Sequence, residues 1–252
     1  MDGHFMTDRG KVRTVNEDAG GIFYNKSNQL LTIVADGMGG HQAGEVASQL
    51  AVSVAKQQWE EIDELHTPAE AEAWMQEIME QMNREVYERS LEATMYEGMG
   101  TTIVIGLCLR EFVTIAHVGD SRCYLYDGDV LKQVTEDHSL VNELIRSGQI
   151  SKDDAEEHPR KNVLLRALGT EETLKADYKT IHWGEHHQLL LCSDGLTNKV
   201  ADEEMEAMIK LDQDLLTITT DLVTCANDRG GEDNITVAIV SYTEQEVGDN
   251  SC

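Results

Sequence analysis

Ile33-Val34-Ala35-Asp36-Gly37-Met38-Gly39-Gly40-His41 joins an apolar run to a carboxylate and three glycines. With Leu30 and Leu31 before it, the run reads as a buried strand, so Asp36 stands where the backbone leaves a sheet. That is a place for a metal ligand. Gly37, Gly39 and Gly40 remove side chains around it and permit positive φ, which would let main-chain carbonyls face an ion or a phosphate. From Ala43 to Trp59 the pattern turns helical. The competing reading is a plain strand-turn-helix joint in which Asp36 only caps the turn.

Outward from this joint, Ala19 to Tyr24 and Gln29 to Ala35 read as a strand pair around the polar turn Asn25 to Asn28. Glu45 to Trp59 follows as a helix, with Val46, Leu50 and Val54 four apart and alanines between them. Thr67-Pro68 offers a capping hydroxyl and a first-turn proline to a second helix, charged from Ala69 to Glu92. Its apolar face is Met75, Ile78, Met79, Met82 and Val86, a spacing that makes the methionines core rather than a soft-metal site.

From Gly100 the period is that of strands. Thr101 to Leu109, Phe112 to Val118, Arg122 to Tyr126 and Val130 to Val134 read as a meander broken at Arg110-Glu111, Gly119-Asp120 and Asp127-Gly128. Leu140 to Ser147 is a short helix ended by Gly148, and Gln149 to Lys161 is charged and irregular, a candidate mobile lid. Gln188 to Cys192 is a strand, Asp202 to Lys210 and Asp214 to Ala226 are helices, and Ile235 to Tyr242 is a closing strand. This order favours an α+β fold with sheets packed together and helices outside.

The 252 residues suit one large domain, since two prolines, no Gly/Ser linker and no repeat divide them. Lys and Arg number 20 against 47 Asp and Glu, a net charge of −27, which argues against a nucleic-acid partner and suits divalent cations. The five cysteines form no C-x-x-C pair and read as reduced thiols. No apolar run reaches 18 residues, so no membrane insertion is expected, and Met1 to Gly10 is too polar for a signal peptide. The expected location is the cytoplasm.

Four strands end in, or follow, acidic turns of one type: A-D36-G-M-G-G, V-G-D120-S, S-D194-G-L and E-D233-N-I. Glu17-Asp18 precedes the first strand as a fifth acidic group. Carboxylates at strand ends can converge on one rim of a sheet, where hard oxygens with little His or Cys suit Mg²⁺ or Mn²⁺. Two such ions would activate a water and clamp a phosphoryl group for in-line attack. Read one at a time, each is an ordinary turn residue.

Arg13, three residues before Asn16-Glu17-Asp18, could hold phosphate oxygens or simply balance the acidic charge. His41 could donate a proton to a leaving alkoxide, or be an exposed loop histidine. His117, inside an apolar strand, reads as packed or hydrogen-bonded, and His186-His187 has no third ligand at a recognisable spacing. Ser121 in Gly119-Asp120-Ser121 raises a serine esterase, but no histidine follows His187 to serve it and the G-x-S-x-G elbow is missing.

Seven motifs now stand in order: R-T-V-N-E-D-A, V-A-D-G-M-G-G-H, G-T-T, H-V-G-D-S-R, T-E-D-H-S, C-S-D-G-L and E-D-N-I-T-V. In this the chain resembles bacterial metal-dependent serine/threonine protein phosphatases of the type 2C family, over about residues 7 to 243. The resemblance implies a central antiparallel β-sandwich flanked by helix pairs, four layers α-β-β-α. It implies one catalytic domain over 1–244 with a flap at about 139–168, and a tail over 245–252. It makes Asp36 the bridge between two ions, gives the Gly37 carbonyl to the second, and gives Asp194 and Asp233 to the first. Asp18, with Glu17, contributes directly or through water, Asp120 with Asp194 resembles a third, weaker site, and Arg13 matches the phosphate-binding arginine. Animal relatives carry histidine directly after the bridging Asp-Gly, where this chain has Met38, which leaves His41 or a metal-bound water as the acid.

The expectation is therefore a phosphatase acting on phosphoserine and phosphothreonine with two or three Mn²⁺ or Mg²⁺ ions, a metal-bridging hydroxide as nucleophile, and phosphorylated proteins as substrates. The resemblance adds a membrane-bound Ser/Thr kinase as antagonist, and a monomer is the default. A phosphoprotein-binding module and a small-metabolite phosphoesterase are the rivals.

Overall fold

The computed structural model describes residues 1–40, 42–156, 158–211 and 213–242. The chain opens with β1 (Asp2–Asp8), β2 (Asp18–Tyr24) and β3 (Leu30–Met38), then α1 (Ala43–Glu61) and α2 (Pro68–Glu92). Next come β4 (Gly100–Thr101), β5 (Ile103–Cys108), β6 (Phe112–Val118), β7 (Arg122–Tyr126) and β8 (Leu131–Gln133). Two short helices, α3 (Leu140–Arg146) and α4 (Lys152–Glu156), precede β9 (Asp177–His182) and β10 (Gln188–Cys192). Helices α5 (Asp194–Thr197), α6 (Asp202–Ile209) and α7 (Leu215–Asp228) lead to β11 (Ile235–Ser241).

The strands form two antiparallel sheets, ordered β1-β11-β10-β7-β8 and β2-β3-β5-β6-β9, with β4 paired to β3. Alternation along β3 explains the layering. Leu31, Ile33 and Ala35 face one way, into a core shared with α1 and α2, while Leu30 and Val34 face the other, into a core between the sheets. A third core joins β10 and β11 to α6 and α7. Every side chain of β3 from Leu30 to Ala35 is thus buried on one face or the other. The result is the expected α-β-β-α order.

Local chemistry supports each layer. Ala43, Ala47, Ala51 and Ala55 make a small, fully buried stripe that lets α1 lie close to β2 and β3. At the start of α2 the Thr67 hydroxyl accepts the Glu70 N–H at 3.3 Å and the Glu70 carboxylate accepts the Thr67 N–H at 3.1 Å. This reciprocal cap, with Pro68 in the first turn, fixes where the helix begins. Asp214 caps α7 through the Thr217 N–H at 2.8 Å.

Three expectations are corrected. The strands after Gly100 are not one meander: β5 and β6 lie in one sheet, β7 and β8 in the other, and the chain crosses between them at Gly119-Asp120. The crossing needs a backbone turn that alternation cannot signal, and Gly119 supplies it with φ of 104°. The irregular segment contains α4, and the chain has two further strands, β1 and β9. Both are sheet edges with part-exposed, polar-rich faces, so their apolar signal is weak. The tail at 245–252 and Cys252 lie outside the described residues. Among the described residues no helix is long and apolar enough to cross a membrane.

Candidate metal centre

The acidic turns converge where the two sheets meet. Asp18 and Asp36 are cross-strand partners at the ends of β2 and β3, and Asp194 opens α5 directly after β10. Asp233 sits just before β11. Mutual influence ties the set together: Asp194, Asp120 and Asp233 all act on the Asp36 carboxyl, as does Asp18.

Asp36 is held by its backbone rather than its side chain. Its N–H donates to the Thr102 hydroxyl at 2.9 Å, and its carbonyl accepts the Thr102 N–H at 2.8 Å and the Thr101 hydroxyl at 2.9 Å. The carboxylate is thereby left for other work. Gly37 follows because nothing larger fits: a Cβ there would lie 2.1 Å from the Gly44 carbonyl oxygen and 2.5 Å from that of Glu17. Of the three glycines in the loop, Gly39 alone has positive φ, at 140°, so Gly37 serves close approach rather than a left-handed turn.

Asp18 receives the Ser193 hydroxyl at 2.8 Å and the Thr236 hydroxyl at 2.6 Å, both on Oδ2. Its Oδ1 is buried without a hydrogen-bond partner, and so is Oδ1 of Asp194, whose Oδ2 accepts from Asn198 at 3.0 Å. Such atoms are expensive to leave bare. Burial pushes the Asp18 carboxyl up to about 7, its two hydroxyl donors opposing that and Asp194 and Asp233 adding to it. Burial, then Asp194 and Asp137, raise Asp120 to about 7. Asp36 is raised well above the usual carboxylate range by burial and then by Asp18. Hard-oxygen donors that resist carrying their charge alone fit a hard divalent cation.

Arg13 stands at the rim. Its guanidinium donates to Asp233 Oδ2 at 2.8 Å and lies 3.9 Å from the Glu17 carboxylate, beside a cleft with Val15 and Gly39. Asp120 and Asp194 line a second, larger cavity of about 890 Å³ that runs between Ser139 and Asn142 at the start of α3 and the start of α6. His41 lies outside the described residues.

Other expectations resolve plainly. Ser121 is 1% exposed and its hydroxyl is tied to that of Thr102 at 2.7 Å, so it is an internal support and not an esterase nucleophile. His117 is buried and hydrogen-bonded, as expected, its Nε2 2.9 Å from the Glu136 carbonyl oxygen. The supporting hydroxyl and amide groups were missed as functional residues. Asn234 is the main one: its Oδ1 accepts the Glu17 N–H at 2.8 Å, and its amide donates to the Arg9 and Val15 carbonyls at 2.9 and 3.0 Å. The signal was there, since Thr101-Thr102, Ser121, Ser193 and Asn234 all flank acidic turns or glycines of the quoted motifs.

Residues 8–237 match the family described as Protein phosphatase 2C. The chain belongs to that family. A serine/threonine phosphatase stp of Listeria monocytogenes serotype 4b is 50% identical over 240 residues, 95% of each chain. Protein phosphatase PhpP of Streptococcus pneumoniae is 37% identical over 98% of this chain and 99% of its own. Among solved structures, the serine/threonine phosphatase Stp1 of Staphylococcus aureus superposes with a TM-score of 0.91 at 37% identity, covering 96% of this chain and 95% of that one. The catalytic domain of the serine/threonine protein phosphatase PstP, solved in complex with two manganese ions, gives 0.82 at 30% identity, over 94% of this chain and 96% of that one.

Proposed function

We propose that Asp18, Asp36, Asp194 and Asp233, with the Gly37 carbonyl, hold two Mn²⁺ or Mg²⁺ ions for phosphoester hydrolysis. Asp120 with Asp194 holds a weaker third, Glu17 acts through bound water, and Arg13 receives the phosphoryl oxygens. The chain is a metal-dependent serine/threonine protein phosphatase of the 2C type, and its substrates are phosphorylated proteins. The observation that carries the ligand assignment is the pair of buried, unpartnered oxygens, Oδ1 of Asp18 and Oδ1 of Asp194, at one junction of the sheets.

When bound, the ions supply Lewis-acid activation of water and neutralise the phosphoryl oxygens. The chain's own groups do the rest. Thr101 and Thr102 fix the Asp36 backbone, Ser193 and Thr236 fix Asp18, and Asn234 fixes the turn bearing Glu17. Arg13, steadied by Asp233, orients a phosphoryl group for in-line displacement. His41 gives its proton to the departing serine or threonine oxygen. The setting that fits is a monomeric cytoplasmic enzyme opposing a Ser/Thr kinase.

The test is phosphate release from a phosphothreonine peptide by metal-stripped protein, titrated with Mn²⁺ and Mg²⁺ beside Asp36→Asn. Activity that appears with metal and vanishes in the variant is expected. Near-normal turnover by the variant sinks the bridging role. Faster turnover of nucleotides or sugar phosphates than of the peptide at equal concentration would favour a small-metabolite phosphoesterase.

A further inference from the structure

At the foot of the flap, one residue touches three parts of the fold. The His138 main-chain N–H donates to the Gly119 carbonyl at 2.9 Å, and its ring Nδ1 accepts the Gly119 N–H at 3.2 Å. Gly119 is thus gripped on both backbone groups, immediately before Asp120. The His138 carbonyl accepts the Leu165 N–H at 2.8 Å, next to the bridge between Ser139 and Leu164 that closes the flap's two ends on each other. Finally, Nε2 of His138 lies 3.1 Å from Oδ2 of Asp177 on β9, whose Oδ1 accepts from Arg166 at 3.0 Å.

A backbone N–H can only donate, so Nδ1 of His138 carries the lone pair and the neutral ring holds its proton on Nε2, directed at Asp177. The ring is buried and stacks on His117, centroids 4.6 Å apart and planes 22° apart. His117 in turn donates from Nε2 to the Glu136 carbonyl. Burial lowers the pKa of both imidazoles, His117 further lowering that of His138 while Asp177 opposes it. The ligand atoms of His117, His138 and Asp177 lie within 4.8 Å of one another, a spacing that would otherwise suggest a transition-metal site. The hydrogen bonds exclude it. A metal on Nε2 would leave the neutral ring's proton on Nδ1, setting two donors face to face at Gly119, and near-parallel rings do not aim their in-plane lone pairs at one point.

We propose that His138 is a positioning residue, held in the Nε2–H tautomer, that couples the flap to the Asp120 carboxylate. Displacement of the flap moves His138, and with it the Gly119 backbone that aims Asp120 into the cavity it shares with Asp194. The coupling to an ion rests on the reading of Asp120 as part of a weak third metal site.

Two substitutions separate the functions of one ring. In His138→Asn the side-chain oxygen takes the place of Nδ1 and still accepts from Gly119, but falls short of Asp177. In His138→Gln the amide reaches Asp177 and leaves the Gly119 N–H without an acceptor. In the metal-free native protein, ¹⁵N shifts of the His138 ring report a bare Nδ1 and a protonated Nε2. Hydrogen exchange at the Gly119 amide, also without metal, rises roughly tenfold in His138→Gln and stays near native in His138→Asn. Calorimetric titration with Mn²⁺ then shows the weakest binding event reduced by roughly tenfold in His138→Gln and retained in His138→Asn. A protonated Nδ1 in the native spectrum, or equal behaviour of the two variants, overturns the proposal. An Asp120→Asn control distinguishes the two ideas. If that change removes the weak ion and His138→Gln does not affect it, the coupling is wrong. If Asp120→Asn leaves every binding event intact, the assignment of Asp120 is wrong and the coupling to an ion falls with it.

Discussion

The Thr102 hydroxyl accepts the backbone N–H of Asp36 at 2.9 Å while meeting the Ser121 hydroxyl at 2.7 Å, so the turn at Asp36 and the turn at Asp120 share one buried oxygen. Two acidic turns from distant parts of the chain are thereby built on a common support.

Thr102→Val keeps the shape and removes that oxygen, leaving the Asp36 N–H and the Ser121 hydroxyl without their partner. Loss of about 1–3 kcal/mol of stability is expected, together with weaker metal binding. Urea unfolding of the metal-free protein measures the first and calorimetry the second. Thr102→Ser, which restores the oxygen, recovers most of both; if it does not, the methyl packing and not the hydrogen bond is what matters.

Asn234 bonds three separate backbone groups, at Arg9, Val15 and Glu17, and is 3% exposed. Asn234→Ala therefore strands several buried polar groups at once and is expected to destabilise the fold by about 3 kcal/mol or more. Asn234→Asp keeps an acceptor for the Glu17 N–H but not the two donated bonds, and adds a charge beside Asp233. It should be no better than alanine. Thermal unfolding of the two variants decides this, and an aspartate variant as stable as the native protein would contradict the geometry.

Much of this was legible in advance because the chemistry is carried by side chains at strand ends, and strand ends are marked by glycine. Asp36, Asp120, Asp194 and Asp233 each follow or precede a continuous apolar run, and β3, β6, β10 and β11 are legible from those runs. The sheet to which a strand belongs was not legible. Alternation around Gly119 reads the same whether β7 pairs with β6 or crosses to the other sheet beside β10, and only long-range pairing decides it. Edge strands β1 and β9 escaped notice because half of each faces solvent. The role of Asn234 was hidden for a related reason: its partners at Arg9 and Val15 are more than 200 positions away in sequence.

Asp18 and Asp120, raised to about 7 by burial and their neighbours, make the metal-free protein less stable as pH rises. Unfolded aspartates lose their protons near pH 4, so between about pH 4 and 7 the folded state binds more protons than the unfolded one. Stability from these groups is complete below that range, falls as pH rises through it, and levels off above about pH 7. Metal-free protein should thus unfold at a lower urea concentration at pH 8 than at pH 5.5. Asp18→Asn, which cannot ionise, flattens the slope and binds metal poorly. Added Mn²⁺ reverses the trend, since binding displaces the protons and strengthens with pH. A metal-free protein more stable at pH 8 than at pH 5.5 would contradict the buried carboxylates described here.

Arg13 provides the opposite case, a residue with much to do in binding and little in folding. Its side chain is 46% exposed, so its ion pair with Asp233 is screened by water and contributes less than about 1 kcal/mol to stability. Arg13→Ala should accordingly unfold at nearly the native urea midpoint. The same change removes the rim's donor for phosphoryl oxygens, and KM for a phosphothreonine peptide is expected to rise about tenfold or more. Arg13→Lys keeps the charge but not the planar fork and falls between the two. Because Asp233 also loses its cationic partner, metal affinity must be measured alongside, and in Arg13→Ala it should hold or increase slightly as the carboxylate is released. A variant with normal KM and impaired metal binding would instead make Arg13 a support for Asp233 alone, and the phosphate contact would have to be sought elsewhere along the rim.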